Sequence, residues 1–206
     1  MKTCKSCAWA ALVGAIGAGA IFMSPDTEAR PSEAAAVAST FELDSVHSMI
    51  VFRIKHMGVS YTYGTIHMPE GSYSLDFDTP SNSTLEVTAK VENIDTGNDG
   101  RDKHLKSPDF FSSRQFPEIS FVGKSFEKIA DGEMLVTGEL TMLGKVNPVE
   151  AHITWVGDAQ TPQGHKSGFE AEFKIERSKW GMTKYLENDS LGDEVTLYVT
   201  VEGRAG

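Results

Sequence analysis

From residue 41 onward, apolar side chains recur at every second position, the period of strands that bury one face. Ile50, Phe52 and Ile54 form one row, and Leu85, Val87, Ala89 and Val91 another, with Glu86, Thr88, Lys90 and Glu92 on the opposite face. Further rows are Ile119 with Phe121; Met134, Val136, Gly138 and Leu140; Val149, Ala151, Ile153 and Trp155. The last two are Phe169, Ala171, Phe173 and Ile175, then Val195, Leu197, Val199 and Val201. With weaker strands near Gly64–Met68 and Ser72–Phe77, the pattern predicts about eight strands. Turn-forming residues separate them at 69–72 (PEGS), 78–83 (DTPSNS), 130–133 (ADGE) and 157–164 (GDAQTPQG).

Short connections make sequential strands antiparallel neighbours. A sheet apolar on one face must cover that face, and closing on itself as an up-and-down barrel needs no other element. A two-sheet sandwich is the other arrangement that this pattern allows. The rows carry small residues at Ala89, Gly138, Ala151 and Ala171, so a closed barrel would not be filled solid.

One stretch breaks the strand period. TGNDGRDKHLKSPDFF, residues 96–111, is dense in charge and ends in two phenylalanines. Ser107 followed by Pro108 reads as a helix start, and Asp102 and Lys106 have the spacing at which opposite charges meet on a helix. The expectation is a short helical insert around residues 98–113 with Leu105, Phe110 and Phe111 as its apolar side. Folded over the barrel it is a structural plug, with a gate for ligand entry as the second reading.

Composition narrows the function. With 206 residues and 40% apolar side chains the chain can bury one sizeable core, and a net charge of −10 opposes binding to nucleic-acid backbones. At the N-terminus, Lys2 and Lys5 precede the uncharged run 8–23, the order of an export signal and short for a bilayer span of about 20 residues. The division expected is a signal peptide over 1–29, cleaved between 29 and 38, a flexible lead-in over 30–40 and a barrel domain over 41–206. That places the protein in the periplasm or outside the cell, without a stable membrane span after cleavage. Cys4 and Cys7 would leave with the signal, so no thiol chemistry is expected of the mature chain.

Candidate chemistry is sparse. No histidine pair has the HxH or HxxxH spacing of a metal site, no GxSxG elbow occurs, and His47 and Ser48 are adjacent and would face opposite sides of a strand. The expectation is therefore no metal, no catalytic residue and no cofactor. Two polar residues continue apolar rows, His56 after Ile54 and Arg177 after Ile175. Each either emerges at a rim, satisfying loop carbonyls, or contacts the polar head of a ligand.

Five ordered segments, DSVHSMIVFRIKHMG (44–58), TGNDGRDKHLKSPDFF (96–111), FPEISF (116–121), GELTMLGKVNPV (138–149) and GFEAEFKIERSKWGM (168–182), give a resemblance across residues 41 to 202. The chain resembles the YceI-like family, exported polyisoprenoid-binding proteins with a lipocalin-like barrel. The resemblance rests on Asp44, His47, Ser48, His56, Gly64, Thr96, Gly97, Arg101, Asp102, Leu105, Phe110, Phe111, Gly144, Pro148, Gly168, Phe169, Arg177 and Ser178. Trp180 and Asn147 depart from the family's usual residues. The resemblance implies a lumen that holds an isoprenoid or other long-chain lipid, a quinone being one such ligand. Asp44, His47, Arg101, Asp102, Phe110 and Phe111 would be structural, with Arg101 and Asp102 bonding to backbone or to motif partners such as His47.

Combining the rows with the resemblance, the expected lumen residues are Ile50, Phe52, Ile54 and His56 on the first long strand and Leu85, Val87 and Ala89 on the next strong row. Phe121, Val136, Gly138, Leu140, Ile153 and Trp155 follow in the middle of the chain. Phe169, Ala171, Phe173, Ile175, Arg177, Leu197 and Val199 complete the set. The function expected is an exported carrier of such a lipid; the alternative is an enzyme acting on a lipophilic substrate in the same pocket through His56 and Arg177. The expected partner is the lipid and not nucleic acid, with a homodimer left open. Intact-mass measurement of the protein from the cell envelope should give an N-terminus between about residues 30 and 39. A full-length species in the membrane pellet would contradict the export reading.

Overall fold

The computed structural model describes residues 39–206. The expected signal, its cleavage zone and most of the lead-in therefore lie outside the described residues. No helix among the described residues is long and apolar enough to cross a membrane.

The strands run in chain order: β1 (Phe41–Leu43), β2 (Met49–His56), β3 (Ser60–His67), β4 (Glu70–Ser74), β5 (Thr84–Lys90) and β6 (Ile94–Asp95) come first. One helix, α1 (Asp99–Leu105), intervenes before β7 (Glu118–Ala130), β8 (Glu133–Met142), β9 (Lys145–Thr161), β10 (Gly164–Glu176) and β11 (Leu191–Ala205). All pairings are antiparallel, and the ring β1-β4-β5-β7-β8-β9-β10-β11 closes through β1 on β11, giving an eight-stranded barrel.

The remaining strands extend the same wall. β1 pairs with β11 at Gly203–Ala205 and β2 pairs with it at Leu191–Thr200, so β1 and β2 are successive halves of one wall strand. Asp44–Ser48 interrupts it. There the Ser48 hydroxyl donates to the Glu202 carbonyl at 3.2 Å and accepts from the Glu202 N–H at 3.1 Å, replacing the ladder that the break removes. β3 and β4 are likewise halves of the next strand, broken at Met68, which has a φ of 56°, and Pro69. Closure by this route leaves no long open edge.

One turn expectation fails and another narrows to a two-residue reversal. PEGS at 69–72 is mostly β4, and GDAQTPQG at 157–164 is the tip of a long β9–β10 hairpin with Pro162 and Gln163 alone between the strands. In both, turn-forming residues sit on exposed or kinked strand ends, where neighbouring ladder bonds outweigh their local preference.

The helical insert is also shorter than expected. Asn98, not Ser107, caps it by accepting the Arg101 N–H at 2.9 Å, and the helix ends at Leu105. Ser107–Pro108 starts only turns: the Ser107 hydroxyl donates to the His104 carbonyl at 2.7 Å and accepts the Asp109 N–H at 3.4 Å, but no helix follows. Asp102 does not meet Lys106: its carboxylate accepts from the backbone and hydroxyl of Thr96, while Lys106 donates to the Glu92 carbonyl.

The interior divides in two. At one end Met134, Val136, Ile153, Phe169 and Tyr73 are 0–1% exposed, packed with Phe41, Leu85 and Val201 into a dry layer. Phe41 stacks on Tyr73, whose ring meets Phe169 edge-on at 4.9 Å. Toward the other end the inward residues Phe52, Val87, Phe121, Phe173, Leu197 and Val199 are only partly buried. Apolar side chains that point inward yet keep accessible surface face a space.

Candidate functional site

That space is a cavity of about 680 Å³. Its wall is built from inward positions of β2, β5, β7, β8, β10 and β11, together with Ile66, Ile119, Met142 and Ala151. Small side chains make the room. Ala89, Ala151 and Ala171 stand at wall positions where a larger residue would fill the lumen. Gly64 and Gly138 act differently: a Cβ on Gly64 would lie 2.2 Å from the Phe52 ring, and one on Gly138 would lie 2.3 Å from the Phe121 ring. Each glycine lets a phenylalanine lie flat against the wall.

The expected lumen residues line this cavity with four exceptions. Val136 and Ile153 belong to the dry layer and are fully buried beneath it. Gly138 lies behind the Phe121 ring. Trp155, still in register with Phe169, is 41% exposed and stacks on Phe77 with ring centroids 5.7 Å apart, on the far side of the buried layer from the cavity. Alternation names the face of a strand; it does not tell how far along the lumen the packing stops.

Residues 95–117 and 177–191 cover the end above the cavity. Leu105, Phe110 and Phe111 line the cavity, and Phe110 packs with Leu140, Met142, Ile175, Trp180 and Met182. The segment is held from its polar side. Arg101 donates through Nε to the Thr96 hydroxyl at 2.7 Å and through Nη2 to the Thr96 carbonyl at 2.6 Å, while Asp102 takes the Thr96 N–H at 2.9 Å. His104 meets Asp109 at 3.0 Å. His47 takes no part in this cluster; it lies with Asp44.

Arg177 is not a rim residue. It is 1% exposed, and its guanidinium donates to the carbonyls of Gly192, Met182, Lys184 and Leu191 at 2.8–3.1 Å. It therefore fastens the 182–192 loop across the barrel end, the loop-carbonyl role. Burial pulls its pKa below the ordinary arginine value. Ser178 and Asp193 add a second clasp, hydroxyl to carboxylate at 2.6 Å. His56 is exposed at the mouth beside Thr62, Asn188 and Ser190, which also border the cavity.

Sequence reasoning missed the mouth. Thr96, Met182, Tyr185, Asn188 and Ser190 reach the cavity from loops, and Gly100 and His104 from the short α1, where no strand periodicity marks direction. The run of turn residues and the φ of 66° at Tyr185 show only afterwards that this segment bends back over the barrel.

A separate charged cluster lies at the opposite end, near the β1–β2 break. Asp44 Oδ2 is 3.1 Å from His47 Nδ1 and 3.1 Å from Lys166 Nζ, and Lys166 also bonds Glu202. Asp44, His47 and Glu202 bring three potential metal-ligand atoms within 4.8 Å, but the Lys166 ammonium already supplies the positive charge there. His47 and Lys166 hold the Asp44 carboxyl well below the ordinary carboxylate range.

Comparison with known proteins gives a consistent identity. A profile of the YceI-like domain matches residues 41–203. Protein YceI of Escherichia coli O6:H1 is 35% identical over 175 residues, covering 84% of this chain and 90% of the relative. Protein YceI of Salmonella arizonae is 37% identical over 171 residues, with 82% and 88% covered. Among solved structures, the Campylobacter jejuni YCEI protein superposes with a TM-score of 0.66 at 29% identity, covering 74% of this chain and 91% of that one. BcnA of Burkholderia cenocepacia shares the fold with a TM-score of 0.68 at 22% identity, covering 78% and 98%. A polyisoprenoid binding domain from Saccharophagus degradans, implicated in plant cell wall breakdown, shares it with a TM-score of 0.63 at 12% identity, covering 82% and 99%.

Asp44 makes stability pH-dependent in a definite sense. Its folded pKa is depressed, so its contribution is complete above the unfolded value near 4 and is lost as pH falls through the folded value. Lys166→Met removes part of that depression, so the variant should be less stable than the parent at neutral pH, with the difference narrowing in acid. Urea midpoints from pH 7 downward measure it, and a constant difference would remove Asp44 as the cause. The match of profile and relatives over the whole barrel places this chain in the YceI-like family.

Proposed function

We propose that this protein is an exported carrier that holds an isoprenoid or similar long-chain lipid in its barrel cavity. The observation that carries the reading is the cavity itself: about 680 Å³, walled mainly by Phe, Ile, Leu and Val, with its polar groups at the mouth and in the covering segments that Arg177 clasps. A site that recognised a polar substrate would bring polar groups inward. The fold shared with the Saccharophagus degradans polyisoprenoid binding domain supports the ligand class, and the basic-then-apolar N-terminus supports export to the periplasm or beyond.

The space sets a scale. An apolar cavity of about 150 Å³ takes one benzene, so 680 Å³ takes on the order of 25 carbons, about five isoprene units. Each buried CH₂ contributes about 0.8 kcal/mol, hence roughly 3 to 4 kcal/mol per isoprene unit before ordering costs. The tail therefore sets affinity, and a few units suffice for micromolar binding. An enzyme working through His56 and Arg177 is the weaker reading. Four carbonyls already occupy four of the five Arg177 N–H donors, and His56 stands exposed at the rim.

Ala171 separates a hollow site from a solid core. It lies on the cavity wall between Phe169 and Phe173 along β10 and is 8% exposed. If the space serves a tail, the indole of Ala171→Trp occupies it, so the delipidated variant melts at or above the parent's temperature and retains little lipid. If the interior packs solid in solution, the same change overpacks it and destabilises by about 1 to 3 kcal/mol. Melting must be compared on delipidated samples because a bound ligand raises apparent stability. A variant that melts normally and still carries full lipid would contradict the placement of the tail.

A further inference from the structure

The turn joining β2 to β3 stands beside the cavity mouth and breaks a local rule. His56 accepts from the Val59 N–H at 3.2 Å, and the central residues Met57 and Gly58 have φ of 50° and 71°. Two successive positive φ values are the pattern of a type I′ turn, whose first central position favours Asn, Asp or Gly. Here it holds methionine. Elsewhere the chain makes the same choice and uses it: Leu143, with φ of 54° before Gly144, packs against the cluster of Phe110, Met142 and Trp180. Met57 packs in none of the hydrophobic clusters and is 61% exposed, and Val59 beside it is 85% exposed.

The surroundings are ordered in depth. Met57 and Val59 form the tip; Tyr61, 53% exposed, follows one rung down the wall, its ring against the Arg53 guanidinium at 4.5 Å. Tyr185, 41% exposed, lines the mouth on the neighbouring loop. Charged groups share these rungs: His56 pairs with Ser60 next to the tip, and Lys55 stands opposite Tyr61. An exposed apolar tip with tyrosines and charged groups on the rungs behind it suits a bilayer surface, where tyrosine sits with its ring in the apolar zone and its hydroxyl in water. A protein partner would need about 800 Å² on each side, some 20 to 30 residues, and this patch offers four side chains.

We infer that the Met57–Val59 turn is a lipid-surface anchor, inserting into a bilayer and setting the cavity mouth against the membrane from which the chain-like ligand is drawn. The Met57 N–H donates to the Ser190 carbonyl at 2.9 Å, and Ser190 borders the cavity, so the anchor is fixed directly to the entrance. With a net charge of −10, and Glu187, Asp189, Asp193 and Glu194 nearby in sequence to Ser190, insertion and not attraction to anionic headgroups supplies the binding. The inference rests on the reading of the cavity as a lipid site.

The test is a double variant, Met57→Asn with Val59→Asp, compared with the parent after delipidation. Asn-Gly suits this turn better than Met-Gly, so the variant should melt at the same temperature or higher. Geranylgeraniol is offered by two routes, from phosphatidylcholine vesicles and by dilution from ethanol. Uptake from vesicles should slow by roughly tenfold or more, a floor set by losing just one of the two inserted apolar side chains, while uptake from ethanol stays unchanged. Equal rates from vesicles would overturn the anchor. Slowing by both routes would also overturn it, placing the turn in the cavity instead. If neither protein takes up the lipid by either route, the carrier reading itself falls, and the anchor with it.

Discussion

The constraint on which this molecule depends is the closure of eight strands into a ring whose inner face must be either filled or left open. Here the ring is filled at one end by Tyr73, Met134, Val136, Ile153 and Phe169, with Phe41 and Val201, and left open above them. The dry layer gives the fold a core that does not depend on a ligand. Alanines at 89, 151 and 171 then hold back the volume that leucine or isoleucine would take, so the same wall becomes a container.

Covering the container's end requires loops that would otherwise carry unsatisfied carbonyls. Arg177 answers this with one buried guanidinium bonded to four of them, and Thr96 serves the α1 segment in the same way by meeting both Arg101 and Asp102. Charged residues at this end are thus spent on backbone. The apolar surface they release from solvent, Leu105, Phe110 and Phe111, is what a bound tail would meet at the entrance.

How much of this was legible in the sequence follows from what periodicity encodes. Alternation identified the wall and most of the cavity lining, because a strand's face is a local property. It failed where position along the barrel mattered: Val136, Ile153 and Trp155 share parity with lining residues but lie below the floor, Trp155 furthest along and 41% exposed. Capping was misassigned because Asn98 and Ser107 are both good caps, and each accepts a backbone N–H, but a helix follows only Asn98. The expectation that Arg177 either binds a head group or satisfies loop carbonyls is resolved only by loops distant in sequence. Exposed apolar residues at a turn, such as Met57, were invisible to a search for buried rows.

The central claim is that the open part of the barrel is a lipid container of finite length. Protein purified from its native envelope without detergent can be examined by native mass spectrometry, followed by organic extraction and analysis of what is released. The account predicts close to one isoprenoid-type molecule per chain, with about 25 carbons sheltered and any longer tail accessible to solvent. Recovery of paired substrate and product, or of protein that carries nothing and binds no polyprenol when offered one, would contradict it.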